Sequence, residues 1–157
     1  MKPIFLLELI CLQSNLKSIN GLDSIQLIIN GDKYNIMKKY TLQKNPFVVP
    51  TTDGKLIEEH HGLASTNNPN VSIAHMIAPP GWSEPFQTPE FDEYTYIISG
   101  KKQFIVENET IILEAGQSIK IEKNTRVQYS NPFEIACEYI AICTPAFDFN
   151  KVHREEE

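Results

Sequence analysis

From residue 56 onward, short apolar runs alternate with clusters of Gly, Pro and Asn, and no stretch spaces its apolar residues at a helical period. The runs predict strands over 56–60, 71–78, 93–99, 102–107, 110–113, 118–122, 125–130 and 134–143. Between them lie turn signals: Pro79-Pro80-Gly81, Asn108-Glu109, Lys123-Asn124, Asn131-Pro132, and Gly100, which lets the chain reverse with positive φ. Pro85 and Pro89 keep 82–91 from being a regular central strand. The tail from Phe147 is charged and predicted to pack loosely, with a short helical turn. Strands without helices predict an all-β sandwich or barrel. Strand pattern alone leaves jelly-roll, immunoglobulin-like and lipocalin-like arrangements open.

The first 36 residues do not follow this pattern. MKPIFLLELICL has the look of an export signal, but Glu8 interrupts its apolar run and no small-x-small cleavage site follows. A short helix over 4–12 and a hairpin over 25–29 and 33–36, around Asn30-Gly31, are the structural expectations. Residues 1–36 are read as an extension, either a poorly ordered arm or the product of an upstream start, with an added strand pair as the alternative; residues 37–157 are read as the domain.

Composition narrows the function. The chain has 157 residues, enough for one domain with a real core. A net charge of -6 disfavours nucleic acid and anionic membranes, which call for basic surfaces. Three cysteines, Cys11, Cys137 and Cys143, form no C-x-x-C pair and suit a reducing, cytoplasmic setting as small buried hydrophobes.

Two blocks carry a family resemblance. Gly81–Gly100, GWSEPFQTPEFDEYTYIISG, keeps the spacing of the first cupin motif, G-x(5)-H-x-H-x(3,4)-E-x(6)-G. Gly116–Asn131, GQSIKIEKNTRVQYSN, keeps that of the second, G-x(5)-P-x-G-x(2)-H-x(3)-N. The chain thus resembles the cupin superfamily, and small bacterial cupins of unassigned function in particular. The resemblance implies a double-stranded β-helix, a small jelly-roll-like barrel with a pocket inside, covering roughly 47–145, and commonly a homodimer. It also implies a divalent metal on three histidines and a glutamate. The matching positions here hold Gln87, Pro89, Glu93 and Val127, so only Glu93 is a strong ligand, with Gln87 a weak one. No cofactor is therefore required, and a divalent ion remains an open alternative.

The candidate chemistry follows from these positions. Glu93, at an inward place, must be paired, protonated or metal-bound. Arg126 and Lys120 are candidate partners, and a raised pKa would make Glu93 a usable base. Tyr129 shares the parity of Val127 and is a candidate acid, while Tyr94 and Tyr96 fall on the opposite face from Glu93. His75 on the preceding strand is a second candidate base, or with Glu84, Glu93 and Gln87 part of a rebuilt metal site; otherwise it is a histidine bonded within its sheet. Trp82 and Phe86 stand near the pocket mouth as ligand caps or subunit contacts, and Glu84 and Glu90 as loop carboxylates. His60-His61 is a poor metal pair, because strand neighbours point to opposite faces. Three functions remain open: a binder of a small polar molecule such as a sugar or organic acid, an enzyme (isomerase, epimerase or metal-dependent oxygenase), and a structural or regulatory dimer with a filled barrel.

Overall fold

The computed structural model describes residues 24–29, 32–37 and 39–155. The expected helix over 4–12 lies outside them. The chain divides into two compact units, Met1–Leu42 and Gln43–Glu157. In the first, β1 (Ser24–Ile29) and β2 (Asp32–Met37) pair antiparallel with Ile29 opposite Asp32, which leaves Asn30-Gly31 as the two residues between them.

The second unit is built from two antiparallel sheets. The larger takes β3 (Phe47–Val48), β4 (Leu56–His61), β5 (Ser72–Ala78), β7 (Asp92–Ser99), β10 (Ser118–Ile121) and β12 (Cys137–Thr144) in the order β10-β7-β12-β5-β4-β3. The smaller takes β6 (Trp82–Ser83), β8 (Lys101–Val106), β9 (Glu109–Glu114) and β11 (Val127–Asn131) in the order β6-β11-β8-β9. The predicted strands form, with ends shifted by a few residues. Two departures are small: α1 (Leu63–Thr66) lies between the strands expected at 56–60 and 71–78, and β6 interrupts the proline-rich 82–91 segment.

Alternation decides which side chains face inward. On β7, Thr95 and Ile97 are buried while Tyr94, Tyr96 and Ile98 are exposed. On β12 the buried set is Cys137, Tyr139, Ala141 and Cys143. Ile97, Phe104, Leu113, Ile121 and Val127 belong to the main core. Phe91, Cys143 and Val152 make a second, smaller one.

Two polar residues hold the corners. Asn131, the last residue of the second motif, is fully buried; its amide donates to the carbonyls of Ala78, Pro79 and Ile135 and its oxygen accepts from the Phe133 N–H. Glu59 is buried too, and its carboxylate accepts from the Ala64 and Ser65 N–H groups and the Ser65 hydroxyl. The tail is not loose. The Phe149–Lys151 turn carries Val152 into the core, and Arg154 bridges to Gln87 as an added edge. Among the described residues no helix is long and apolar enough to cross a membrane.

Candidate functional site

The two sheets do not close on a filled interior. A cavity of about 540 Å³ opens between them, within the usual range for a small-molecule pocket. The filled-barrel alternative therefore fails. Four of the residues singled out by spacing, Glu84, Gln87, Glu93 and Tyr129, line this cavity together.

Others do not. His75 lies on the outer face of β5, where its Nδ1 and Nε2 each stand 2.8 Å from a carboxylate, of Glu58 and Glu138. The expectation that it points into the pocket is corrected: Ser72, Ala74 and Met76 take the inward positions of β5, and His75 alternates outward. Its hydrogen bonds to Glu58, then to Glu138, raise its pKa and favour the imidazolium form between two acids. Phe86 is also misplaced as a cap, because its ring lies 3.6 Å under the Arg126 guanidinium, away from the cavity. Trp82 is buried behind the cavity wall, donating its indole N–H to Asp53 at 2.6 Å. Neither expected partner of Glu93 reaches it: Arg126 pairs with Glu155, and Lys120 with Asp92.

The charges that do face Glu93 come from outside both motif blocks. They are Lys102 on β8 and Lys55 just before β4. Lys102 is only 1% exposed. Its Nζ lies 3.7 Å from the centroid of the Tyr139 ring, 4.9 Å from Trp82, 5.5 Å from Tyr129 and 5.8 Å from Phe104. Lys55 Nζ shares the same wall, 4.1 Å from Trp82 and 5.9 Å from Tyr139. Burial first, and the neighbouring Lys55 charge second, bring the Lys102 amine down to about 7, against the pull of Glu93 and Glu84. Burial pushes the Glu93 carboxyl the other way, upward, opposed by Lys102. Both groups are thus driven toward their neutral forms. The Thr95 hydroxyl donates to Glu93 at 3.1 Å.

Two hydroxyls complete the interior. Tyr129 Oη and Tyr139 Oη are buried and make no hydrogen bond of good geometry, although Tyr129 feels the Glu93 carboxyl. Burial holds both phenols protonated, well above their ordinary pKa. At the mouth, Arg154 pairs with Glu84 at 3.1 Å and donates to the Gln87 oxygen at 3.4 Å.

This donor set does not suit the metal that the motif spacing would imply. Among the described residues no group of three or more His, Cys, Asp or Glu converges. Pro89 and Val127 offer no side-chain donor, and Glu93 shares its cavity with two amines that would repel a cation when charged.

A signal for Lys102 was present. It shares the parity of Phe104, buried on the same strand, so period-two arithmetic sets a lysine on the inward face. Lys55 and Arg154 lie outside regular strands, where no such arithmetic applies.

The cupin-domain family profile matches residues 74–143. Among curated proteins the chain is similar to an endoribonuclease YbeY of Myxococcus xanthus (strain DK1622), 42% identical over 108 residues, which are 69% of this chain and 37% of that protein. The chain thus spans little more than a third of that relative's length. Among solved structures it is similar to a Streptomyces PAC13 variant with uridine (17% identity, TM-score 0.61, covering 76% of this chain and 93% of that one). It is also similar to an RmlC-like cupin from Shewanella frigidimarina NCIMB 400 (13%, TM-score 0.58, 70% and 93%) and to Clostridium difficile EutQ (20%, TM-score 0.52, 65% and 73%). These likenesses are of fold, a cupin β-barrel. Motif spacing, barrel topology and family profile agree on a cupin domain at residues 74–143.

Proposed function

We propose that this cupin binds a small polar organic molecule, of the sugar or organic-acid class, inside its barrel. The observation that carries the reading is the pair of unpartnered hydroxyls, Tyr129 Oη and Tyr139 Oη, buried at the wall of a cavity large enough for such a ligand. A buried polar group without a partner costs about 1–3 kcal/mol, and a ligand hydroxyl or carboxylate would recover that for both. Gln87, Glu84 and Arg154 at the mouth add donors and acceptors of both kinds. The endoribonuclease name of the Myxococcus relative does not carry over, since the match covers 37% of that protein and this chain carries a net charge of -6.

A second reading, catalysis, is favoured by one observation: an amine brought down to about 7 facing a carboxyl pushed up. Pairs of groups with pKa values driven off their ordinary range are what acid–base chemistry at neutral pH uses. Glu93 would then serve as base or acid with Tyr129 as proton donor, in an isomerisation or epimerisation. One of the similar folds, Pac13, is a nucleoside dehydratase.

The test is a thermal-shift screen of sugars, sugar acids, hydroxy acids and nucleosides on the wild type and on Tyr139→Phe. The variant should be as stable as the wild type or more so without ligand, since it removes an unsatisfied hydroxyl, and should lose the response to any compound that stabilises the wild type. A panel that moves neither protein, or a response untouched by Tyr139→Phe and Tyr129→Phe, overturns the reading.

A further inference from the structure

The geometry points to Lys102 as a nucleophilic amine that condenses with the carbonyl of a small polar aldehyde or ketone held in the barrel, Glu93 supplying the proton that expels water. The inference rests on the pocket-binding reading and narrows its ligand to a carbonyl compound.

Three features of the site combine. First, Lys102 reaches the cavity from β8 with its amine enclosed by Tyr139, Trp82, Tyr129 and Phe104, so little water reaches it. A desolvated lysine beside a second cation, here Lys55, is the environment in which amines become nucleophiles near neutral pH. Second, Glu93 faces the same cavity, and burial favours its protonated form. Third, the Tyr139 hydroxyl has no protein acceptor, the Tyr129 hydroxyl has only the nearby Glu93 carboxyl, and burial holds both protonated. They can donate to a carbonyl oxygen and draw electrons from its carbon. An amine, an acid and two hydrogen-bond donors around one space suited to a small molecule is the set that imine formation needs.

The step balances without a further reactant. The lone pair of neutral Lys102 Nζ attacks the carbonyl carbon, and the C=O π pair moves to oxygen. A proton passes from nitrogen to that oxygen, giving a carbinolamine. Glu93 then protonates the hydroxyl, the C–O bond breaks, water leaves, and the nitrogen lone pair closes the C=N bond. The products are a protonated imine and the Glu93 carboxylate, opposite charges in one cavity. No group is oxidised or reduced. Lys55 is the poorer candidate: burial lowers its amine too, but Glu84, Glu93 and Asp53 oppose that, and its side chain is less enclosed than that of Lys102.

The experiment is reductive trapping on the full-length protein at pH 7, with acetaldehyde, glycolaldehyde and pyruvate as probes and cyanoborohydride as reductant, read by intact mass and peptide mapping. Lys102 should label roughly tenfold or more faster than any exposed lysine, because its neutral fraction at this pH far exceeds that of a solvated lysine. Lys102→Arg should abolish that site while leaving slow surface labelling. Glu93→Gln should slow it by about a hundredfold with the fold kept. Labelling of Lys102 no faster than of exposed lysines with all three probes overturns the inference. The thermal-shift panel, run without reductant, separates the two failures: compounds that still stabilise the protein leave pocket binding standing without imine chemistry, and their absence removes both.

Discussion

An amine enclosed by four aromatic rings loses most of its hydration, and Lys102 lies at that position between the sheets. The pH dependence carries a definite sign. Because Lys102 is held at about 7, below its ordinary 10.5, the folded protein binds fewer protons than the unfolded chain between these values. Its share of stability therefore rises with pH across that window and is lowest below it, and Lys102→Met should remove that rise. His75 behaves oppositely. Its raised pKa means the Glu58 and Glu138 bonds stabilise fully below the ordinary 6.5 and weaken as pH climbs through the folded value. His75→Gln should cost about 1 kcal/mol at pH 6, after allowing for partial exposure, and almost nothing at pH 9. At this scale the sequence was legible where motif and parity agreed, as for Glu93, Gln87 and Tyr129. It was not legible where a cavity charge comes from outside both the motif blocks and the strands, as Lys55 does; Lys102 can be read only from strand parity.

The elements make the site through their turns. Gly100 joins β7 to β8 at φ 77, and a Cβ there would run into the Ala136 carbonyl oxygen. This turn sets the register that aims both Glu93 and Lys102 inward, so Gly100→Ala should destabilise by about 2–4 kcal/mol, measured by urea denaturation. The turn and most strands could be read from the sequence, since Gly, Pro and Asn mark their ends and apolar runs fill them. Its tail could not. The residues that hold it, Phe86 and Gln87, lie more than sixty positions upstream, and Val152 gives no local sign that it will be buried. The His75 error has the same origin: a histidine in an apolar run fits either face, and only the partner strands supply the two acids that fix it outward.

At the scale of the cupin domain, the outer face of the larger sheet stands out. Tyr94, Tyr96 and Ile98 are exposed on β7, and Tyr94 and Tyr96 share a shallow depression with Ile119, Ile140 and Ile142. This is the face on which the expected homodimer would form, sheet against sheet. Tyr96→Glu should then convert a dimer to a monomer in size-exclusion chromatography with light scattering, while leaving any ligand-induced thermal shift intact; an unchanged mass would place the contact elsewhere. The interior is separate from this face. There two sheets leave a cavity whose wall holds the polar groups, and the one retained ligand of the motif, Glu93, shares it with Lys102, Tyr129 and Tyr139.

The most direct test of that arrangement is a carbon-13 NMR titration of the lysine ε-carbons in wild type and Lys102→Met. One resonance should titrate near pH 7, be missing in the variant and shift when a ligand enters the barrel; burial lowers Lys55 as well, so Lys102→Met is what assigns the resonance. If every lysine, Lys102 included, titrates at about 10.5, the amine is solvated or firmly paired and the site described here does not exist.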